Sequence, residues 1–293
     1  MDTDLDALRP LLFSIAYRMT GSVGDAEDIV QEAVIRTYRA ASQGPVESPK
    51  AFATTTTTRL AIDHLRSARV RRESYVGTWL PEPLVTDPAP GPAERAEMSD
   101  SLSLAFLVVL ESLSPVERAV FLLREVFGYD YGEIAVAVGK SEPNCRQIFA
   151  RARRHVDEGR PRFEASRRQG SELTDRFLAA VRGGDMEPFI DLLAPDVVMM
   201  GDGGGKAPAA ATPLYGRDRV ARLLRGLTRQ LTRWVSEMRP AQVNGQPGVV
   251  AYGPDGNLFA VMSSTCWTGR WSRSGRWSTR TSSGTWRDAG RTK

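Results

Sequence analysis

From residue 5 to residue 41 the apolar positions Leu8, Leu12, Ile15 and Met19, then Ile29, Ala33 and Tyr38, recur mostly at three- to five-residue steps, a helical period. Gly21-Ser22-Val23-Gly24 interrupts them, and Ser22 and Asp25 are available to cap a second helix, so a helical hairpin is expected. Residues 44–49 read as a loop and residues 51–72 as a further helix. The threonine run 54–58 inside that helix has stiff β-branched side chains of low helix propensity, so tertiary packing must hold it. Residues 77–98 break the pattern. They carry Pro81, Pro83, Pro88, Pro90 and Pro92 beside Gly77 and Gly91, the composition of a semi-rigid linker.

Beyond the linker, residues 102–113 are apolar with helical period, and Ser114-Pro115 followed by Glu117 starts a helix running to Phe127, closed by Gly128. Residues 131–138 form a short helix, Gly139-Lys140 a turn, and Ser141 caps a last helix with Asn144 at its third position. This is the spacing of a helix-turn-helix. After an arginine-rich stretch over residues 151–168 the pattern changes. Short helices over 172–182 and 186–193, a strand over 197–200 and a helix over 217–231 come first. Strands over 234–238, 248–252 and 258–262 follow, separated by turn residues. The expected organisation is an all-α module over residues 1–76, the linker 77–98, a helix-turn-helix module over 99–165, an α+β domain over 171–263 and an atypical basic tail over 264–293.

Composition adds exclusions. Of 293 residues, 41% are hydrophobic and 25% charged, which suits buried cores and is unlike a collagen-like or wholly disordered chain. The longest apolar run, Leu104 to Leu110, is far short of the roughly 20 residues of a membrane span. Asp2, Asp4 and Asp6 stand where a signal peptide is basic, so the expected location is cytoplasmic, away from any membrane. Cys145, Cys266, His64 and His155 show no zinc or disulfide spacing, and no metal or cofactor is expected. The net charge of +4 is a property of the tail, where six arginines and Lys293 face only Asp288. The informative basic residues are local clusters: Arg59, Arg66, Arg69, Arg71 and Arg72, then Arg146, Arg151, Arg153 and Arg154.

In a helix-turn-helix the second helix enters the major groove, its early residues reach base edges, and later arginines hold phosphates. Glu142, Asn144, Arg146 and Gln147 are the candidates for the first role, Arg151, Arg153 and Arg154 for the second, and the capping residue Ser141 is counted with them as DNA-binding. Taken alone, the segment also fits a helical hairpin with a solvated basic face. The runs Asp25-Ala-Glu-Asp-Ile-Val-Gln-Glu32, Arg59-Leu-Ala-Ile-Asp-His-Leu-Arg66 with Ser67-Ala-Arg-Val-Arg-Arg-Glu73, and Asn144-Cys-Arg-Gln-Ile-Phe-Ala-Arg151 resemble, in order and spacing, an extracytoplasmic-function sigma factor of bacterial RNA polymerase. The resemblance spans about residues 5–160.

That resemblance implies roles. The acidic helix with Asp25, Glu27, Asp28, Gln31 and Glu32 is expected to dock on the clamp helices of the polymerase β′ subunit; on residue chemistry alone it is an ordinary solvated acidic face. The helix with Arg59, Arg66, Arg69, Arg71 and Arg72 is expected to melt and read the minus-ten hexamer, with the loop 43–50 offering a pocket for an unstacked base. The helix-turn-helix module is expected to bind the minus-thirty-five element and the β flap. Asp63 and His64 lack a nucleophile or third orienting group and read as packing or helix-surface residues. An anti-sigma partner is left unspecified by the residues.

Residues 171–263 resemble the SnoaL-like branch of the nuclear transport factor 2 fold, a cone-shaped α+β fold. Asp202-Gly203-Gly204-Gly205-Lys206, together with the linker motif Trp79-Leu80-Pro81-Glu82-Pro83, is similar to motifs of the sigma subfamily carrying this extension. The glycine run lacks the P-loop spacing and no nucleotide site is expected. Asp202 has no histidine in its domain to form an acid–base pair, so these residues are read as regulatory contacts in which glycine lets backbone approach another surface. The Trp79 to Pro83 cluster reads either as a local anchor or as a regulatory contact.

The tail holds four of the six tryptophans among Arg, Ser and Gly, with no alternating pattern. Read one base out of register, a permissible codon choice for residues 266–286 yields Leu-Asp-Gly-Gln-Val-Val-Glu-Val-Arg-Ser-Val-Val-Asn-Pro-Asp-Lys-Leu-Gly-His-Leu, whose Asn-Pro-Asp-Lys-Leu resembles the end of the subfamily domain. A frameshift near residues 263–266 is one reading; a basic tail contacting nucleic acid electrostatically is the other. The whole is expected to be a multidomain, non-enzymatic sigma factor binding core RNA polymerase and promoter DNA, its C-terminal domain modulating activity. The alternative is a ligand-responsive helix-turn-helix regulator, and a weaker one an enzyme fused to a DNA-binding module.

Overall fold

The structure is a computed structural model that describes residues 5–72, 79–86, 103–159, 167–202, 212–267 and 270–277. It divides into two units, residues 1–74 with 106–160 and residues 75–105 with 161–293.

The first unit is helical. A 3-10 turn over Leu5–Leu8 leads into α1 (Arg9–Thr20), followed by α2 (Val23–Gln43) and α3 (Pro49–Arg72). Gly21 closes α1 in the left-handed region at φ 69°, and the Ser22 side chain accepts from the Asp25 amide to cap α2, as the sequence anticipates. Ala26, Ile29, Val30, Ala33, Val34 and Thr37 form one buried stripe on α2. The threonine run is held as expected. Thr54, Thr57 and Thr58 are buried, and the Thr58 hydroxyl donates to the Thr54 carbonyl, so its polar atom is satisfied inside the helix.

The helix-turn-helix part follows as α4 (Leu104–Leu110), α5 (Pro115–Phe121), α6 (Tyr131–Val138) and α7 (Glu142–Gly159). The single helix expected over residues 116–127 is instead α5 followed by a π-helical segment, Leu122–Val126, a bulge the apolar period does not reveal. Ser114 with Glu117 and Asp130 with Glu133 form reciprocal capping boxes at α5 and α6. Gly139 ends α6 at φ 65°, a left-handed position that suits glycine, and this makes the turn into α7.

The second unit is α+β: β1 (Val85–Thr86), α8 (Arg167–Gly183), α9 (Glu187–Ile190), β2 (Leu193–Asp202), β3 (Leu214–Tyr215), α10 (Arg217–Trp234), β4 (Glu237–Val243), β5 (Gln246–Tyr252), β6 (Leu258–Trp267) and β7 (Arg270–Trp277). The sheet order is β1-β4-β5-β6-β7-β2-β3, antiparallel except for β2 against β7. Leu173, Phe177, Phe189, Val220, Leu224 and Val249 join α8, α9 and α10 to the sheet in one core. Gly248 is required at its position, since a Cβ there would lie 2.4 Å from the Met262 carbonyl oxygen.

Two expectations change. The linker is not wholly irregular, because its proline-free Val85–Thr86 pairs with Gln242 and Val243 as an added edge strand. The sheet also continues past residue 263, through the end of β6 and into β7, so part of the segment read as a tail is strand. Backbone pairing explains this: β7 fills the gap between β6 and β2, where ladder hydrogen bonds do not depend on side-chain pattern. Among the described residues no helix is long and apolar enough to cross a membrane.

Candidate nucleic-acid and polymerase interface

The acidic residues of α2 stand in different surroundings. Glu27, Asp28 and Gln31 are exposed. Glu27 and Gln31 line a concavity of ≈ 480 Å³ with Arg9, Phe13 and Val30, between α1 and α2. Glu32 is paired with Arg36 at 2.7 Å. Asp25 lies 3.3 Å from the His64 Nε2 of α3, which gives His64 a packing role.

The two arginines of the α3 cluster whose side chains are described, Arg59 and Arg66, both have partners within the protein. Arg59 donates through Nη2 to the Val136 carbonyl at 2.6 Å and through Nε to the Ala137 carbonyl at 3.1 Å. Both acceptors sit in the last turn of α6, where the helix dipole concentrates negative charge. Arg66 is exposed and pairs with Asp63 at 3.2 Å. Arg69, Arg71 and Arg72 fall in the last turns of α3, and their side chains lie outside the described residues.

The packing of α1 and α3 on the helix-turn-helix part rests on further polar contacts that the sequence did not disclose. Thr54 Oγ1 and the Tyr129 hydroxyl are 3.0 Å apart. Arg118 is 3% exposed and donates to the Met19 carbonyl at 2.6 Å and to Glu111 at 2.7 Å. Arg18 is buried with its guanidinium 5.4 Å from the Phe127 ring centroid and donates to Ser14. Burial pushes its pKa down to about 10, against a smaller raising effect of Tyr17, so it stays charged at neutral pH. Buried arginines read from sequence as surface cations; no periodicity marks them.

On α7, Cys145, Ile148, Ala152 and Val156 point into the core. That burial leaves Ser141 before the helix, and Glu142, Asn144, Arg146, Gln147, Arg151, Arg153 and Arg154 on it, exposed. Arg146 pairs with Glu142 at 3.0 Å. Desolvation, followed by the Glu142 carboxylate, raises the Cys145 thiol pKa, which keeps it a neutral core group.

In the second unit the expected linker contact is present in part. Leu80 is buried and its amide donates to Asp202 Oδ2 at 3.1 Å. Pro81 and Pro83 are buried, and Trp79 and Glu82 half-buried. Asn244, missed in the sequence, holds the next segment. Its Oδ1 accepts from the Leu84 amide at 2.9 Å and its own amide donates to the Leu84 carbonyl at 2.7 Å. The signal was available: Asn244-Gly245, at φ 53° and 73°, is a tight hairpin turn that needs such residues. Gly203, Gly204, Gly205 and Lys206 lie outside the described residues.

The second unit also encloses a cavity of ≈ 20 Å³ among apolar side chains, including Phe177, Met186, Met199, Met238 and Met262. Its lining contains no acid or base, and Asp202 is directed to the linker instead. Among the described residues no group of three or more His, Cys, Asp or Glu is placed to hold a metal ion.

Comparison with known proteins defines the class. Residues 5–71 match the model of Sigma-70 region 2, residues 103–156 that of Sigma-70 region 4, and residues 174–279 that of the SnoaL-like domain. The chain is 39% identical over 257 residues to the ECF RNA polymerase sigma factor SigJ of Mycobacterium tuberculosis, covering 87% of this chain and 82% of that protein. It is 34% identical over 249 residues to the probable ECF RNA polymerase sigma factor SigI of the same species, covering 84% and 82%. The crystal structure of M. tuberculosis SigJ superposes with a TM-score of 0.75 at 34% identity over 95% of this chain and 96% of that one. The chain therefore belongs to the ECF RNA polymerase sigma factors and carries a C-terminal SnoaL-like domain.

Proposed function

We propose that this protein binds core RNA polymerase and directs promoter recognition, melting and initiation. The observation that carries the reading is the presence, in one helical unit, of an exposed acidic face on α2, a basic helix α3 and a helix-turn-helix whose α7 exposes its polar and basic residues. An operator-binding regulator needs only the last of these. In this reading Asp25, Glu27, Asp28, Gln31 and Glu32 meet a basic face of the polymerase, the β′ clamp helices, and the helix-turn-helix part meets the β flap. Arg59, Arg66, Arg69, Arg71 and Arg72 track the melted minus-ten strand, while Ser141, Glu142, Asn144, Arg146, Gln147, Arg151, Arg153 and Arg154 bind the minus-thirty-five duplex. It acts by placing the polymerase, not as an enzyme.

The SnoaL-like domain is the regulator in this account. Asp202 and Asn244 hold the linker at Leu80 and Leu84, and β1 adds it to the sheet, which supports a role for that domain in setting how much of the linker is free to span the two DNA-binding modules. Run-off transcription with core polymerase on a promoter library tests both parts. The full chain is expected to start transcripts at specific sites, and Asp202→Ala to change their yield at least about twofold, the scale of one lost hydrogen bond. No specific transcript and no core binding contradict the sigma reading; an Asp202→Ala yield equal to wild type contradicts the regulatory role.

A further inference from the structure

The helix-turn-helix part contains an arrangement that sequence motifs do not announce. Tyr131, the first residue of α6, is half-buried, and its ring meets Phe149 of α7 edge-on at 6.2 Å. Phe149 in turn stacks on buried Phe121 at 6.1 Å, so the tyrosine is fixed by the core. Over the same ring lie two guanidinium groups, Arg124 and Arg146, each 4.9 Å from its centroid. Arg124 is also anchored by donating to the Tyr129 carbonyl at 2.9 Å. Arg146 is also held by Glu142 at 3.0 Å. Gly132 leaves room for that carboxylate, since a Cβ there would stand 3.3 Å from Glu142 Oε1.

We infer that Tyr131 is a positioning residue for promoter recognition: its ring, with Glu142, presets the Arg146 guanidinium on the recognition helix for contact with a guanine of the minus-thirty-five duplex. An exposed arginine ordinarily loses much rotamer freedom when it docks on a base. Here a cation–π contact and an ion pair already restrict it, and each is individually weak enough to be exchanged for the O6 and N7 acceptors of guanine. The inference rests on α7 being the promoter-reading helix, and its test separates the two.

The test uses the full chain with core polymerase on templates carrying each base pair at every minus-thirty-five position, for wild type, Arg146→Ala, Tyr131→Leu, Tyr131→Phe and the Tyr131→Leu/Arg146→Ala pair. Arg146→Ala is expected to abolish a guanine preference at one position. Tyr131→Leu is expected to weaken that same preference by about 5–10-fold, a share of what a bidentate arginine–guanine contact supplies. Tyr131→Phe keeps the preference, and the double variant is no worse than Arg146→Ala alone. An unchanged base profile in Tyr131→Leu, or a uniform loss at all positions shared by Tyr131→Phe, overturns the proposal. A second measurement is independent of promoters. The Arg146 side-chain proton resonances of the free protein are expected upfield from the Tyr131 ring current, in Tyr131→Phe as in wild type. Random-coil positions in both overturn the pairing, even where the wild type initiates normally. If wild type initiates nowhere while the ring-current shift is present, it is the sigma reading that falls.

Discussion

Helices α3 and α7 look alike in the sequence, two arginine-rich segments expected to hold DNA, yet the arginines described on each meet different partners. Arg59 of α3 is engaged by the Val136 and Ala137 carbonyls, and Arg66 by Asp63. Arg151, Arg153 and Arg154 of α7 are exposed, with Arg153 meeting Asp157 at 4.0 Å and Arg154 the Ala150 carbonyl at 3.4 Å within the same helix, while Arg146 pairs with Glu142. The difference lies in what each helix packs against. Helix α3 faces the C-terminal end of α6, whose carbonyl oxygens offer Arg59 the partial negative charge that a phosphate would otherwise supply. Helix α7 keeps its basic side outward because its apolar stripe is already spent on the core. Under the proposed function, α7 would meet duplex DNA with Arg151, Arg153 and Arg154 already exposed, whereas Arg59 would first exchange protein carbonyls for phosphates.

The largest expected effect lies in the helical unit that holds both helices, where buried Arg118 ties α5 to the end of α1. Arg118→Ala takes away the buried donor to the Met19 carbonyl and to Glu111, so a loss of about 3 kcal/mol in unfolding free energy is expected, measured by denaturant titration. A loss below about 1 kcal/mol contradicts the role given to this residue. Next come the exposed arginines. Arg151→Ala or Arg153→Ala should weaken promoter binding nearly equally on all sequences and lower the log–log salt slope by about 1 each, which titration of holoenzyme at several salt concentrations reads directly.

A milder change sharpens the comparison. Thr54→Val removes one hydroxyl of the Thr54–Tyr129 pair and should cost about 1 kcal/mol of stability while leaving α7 untouched, so the salt slope stays that of wild type. The smallest expected effect is at the Ser114–Glu117 capping box. The Ser114 hydroxyl lowers the Glu117 carboxyl pKa, with burial partly opposing it. Because the folded pKa is the lower one, this contribution is fully present above the ordinary glutamate value of about 4.3 and is lost as pH falls through the folded value. Ser114→Ala should cost about 0.5–1 kcal/mol at neutral pH and flatten the acid limb of the stability curve.

Most helices were legible because one face of each is apolar: the buried stripe of α2 and that of α7 follow the helical period residue by residue. The helix ends were legible through Ser22, Ser114 and Gly139, whose side chains or backbone have few other uses at those positions. What periodicity could not show is polar pairing at a distance. Arg59 with Val136 and Thr54 with Tyr129 join positions more than seventy residues apart, and Leu80 meets Asp202 across 122. The motif at Trp79 to Pro83 announced that something binds the linker, and the fold supplies Asp202 and Asn244 as the partners of Leu80 and Leu84. Strand β7 was illegible because Arg270-Trp-Ser-Arg-Ser-Gly-Arg-Trp277 alternates in no apolar sense. Reading the gene across codons 263–286 tests the alternate frame, and a message unable to encode the Asn-Pro-Asp-Lys-Leu run removes it.

The most direct test of the account is permanganate reactivity of promoter thymines when the full chain is mixed with core polymerase. The account predicts unpaired, reactive thymines in a bubble spanning the minus-ten region, appearing only when both proteins are present. A duplex that stays unreactive, with the chain failing to bind core, contradicts it and leaves a helix-turn-helix regulator that binds DNA without opening it.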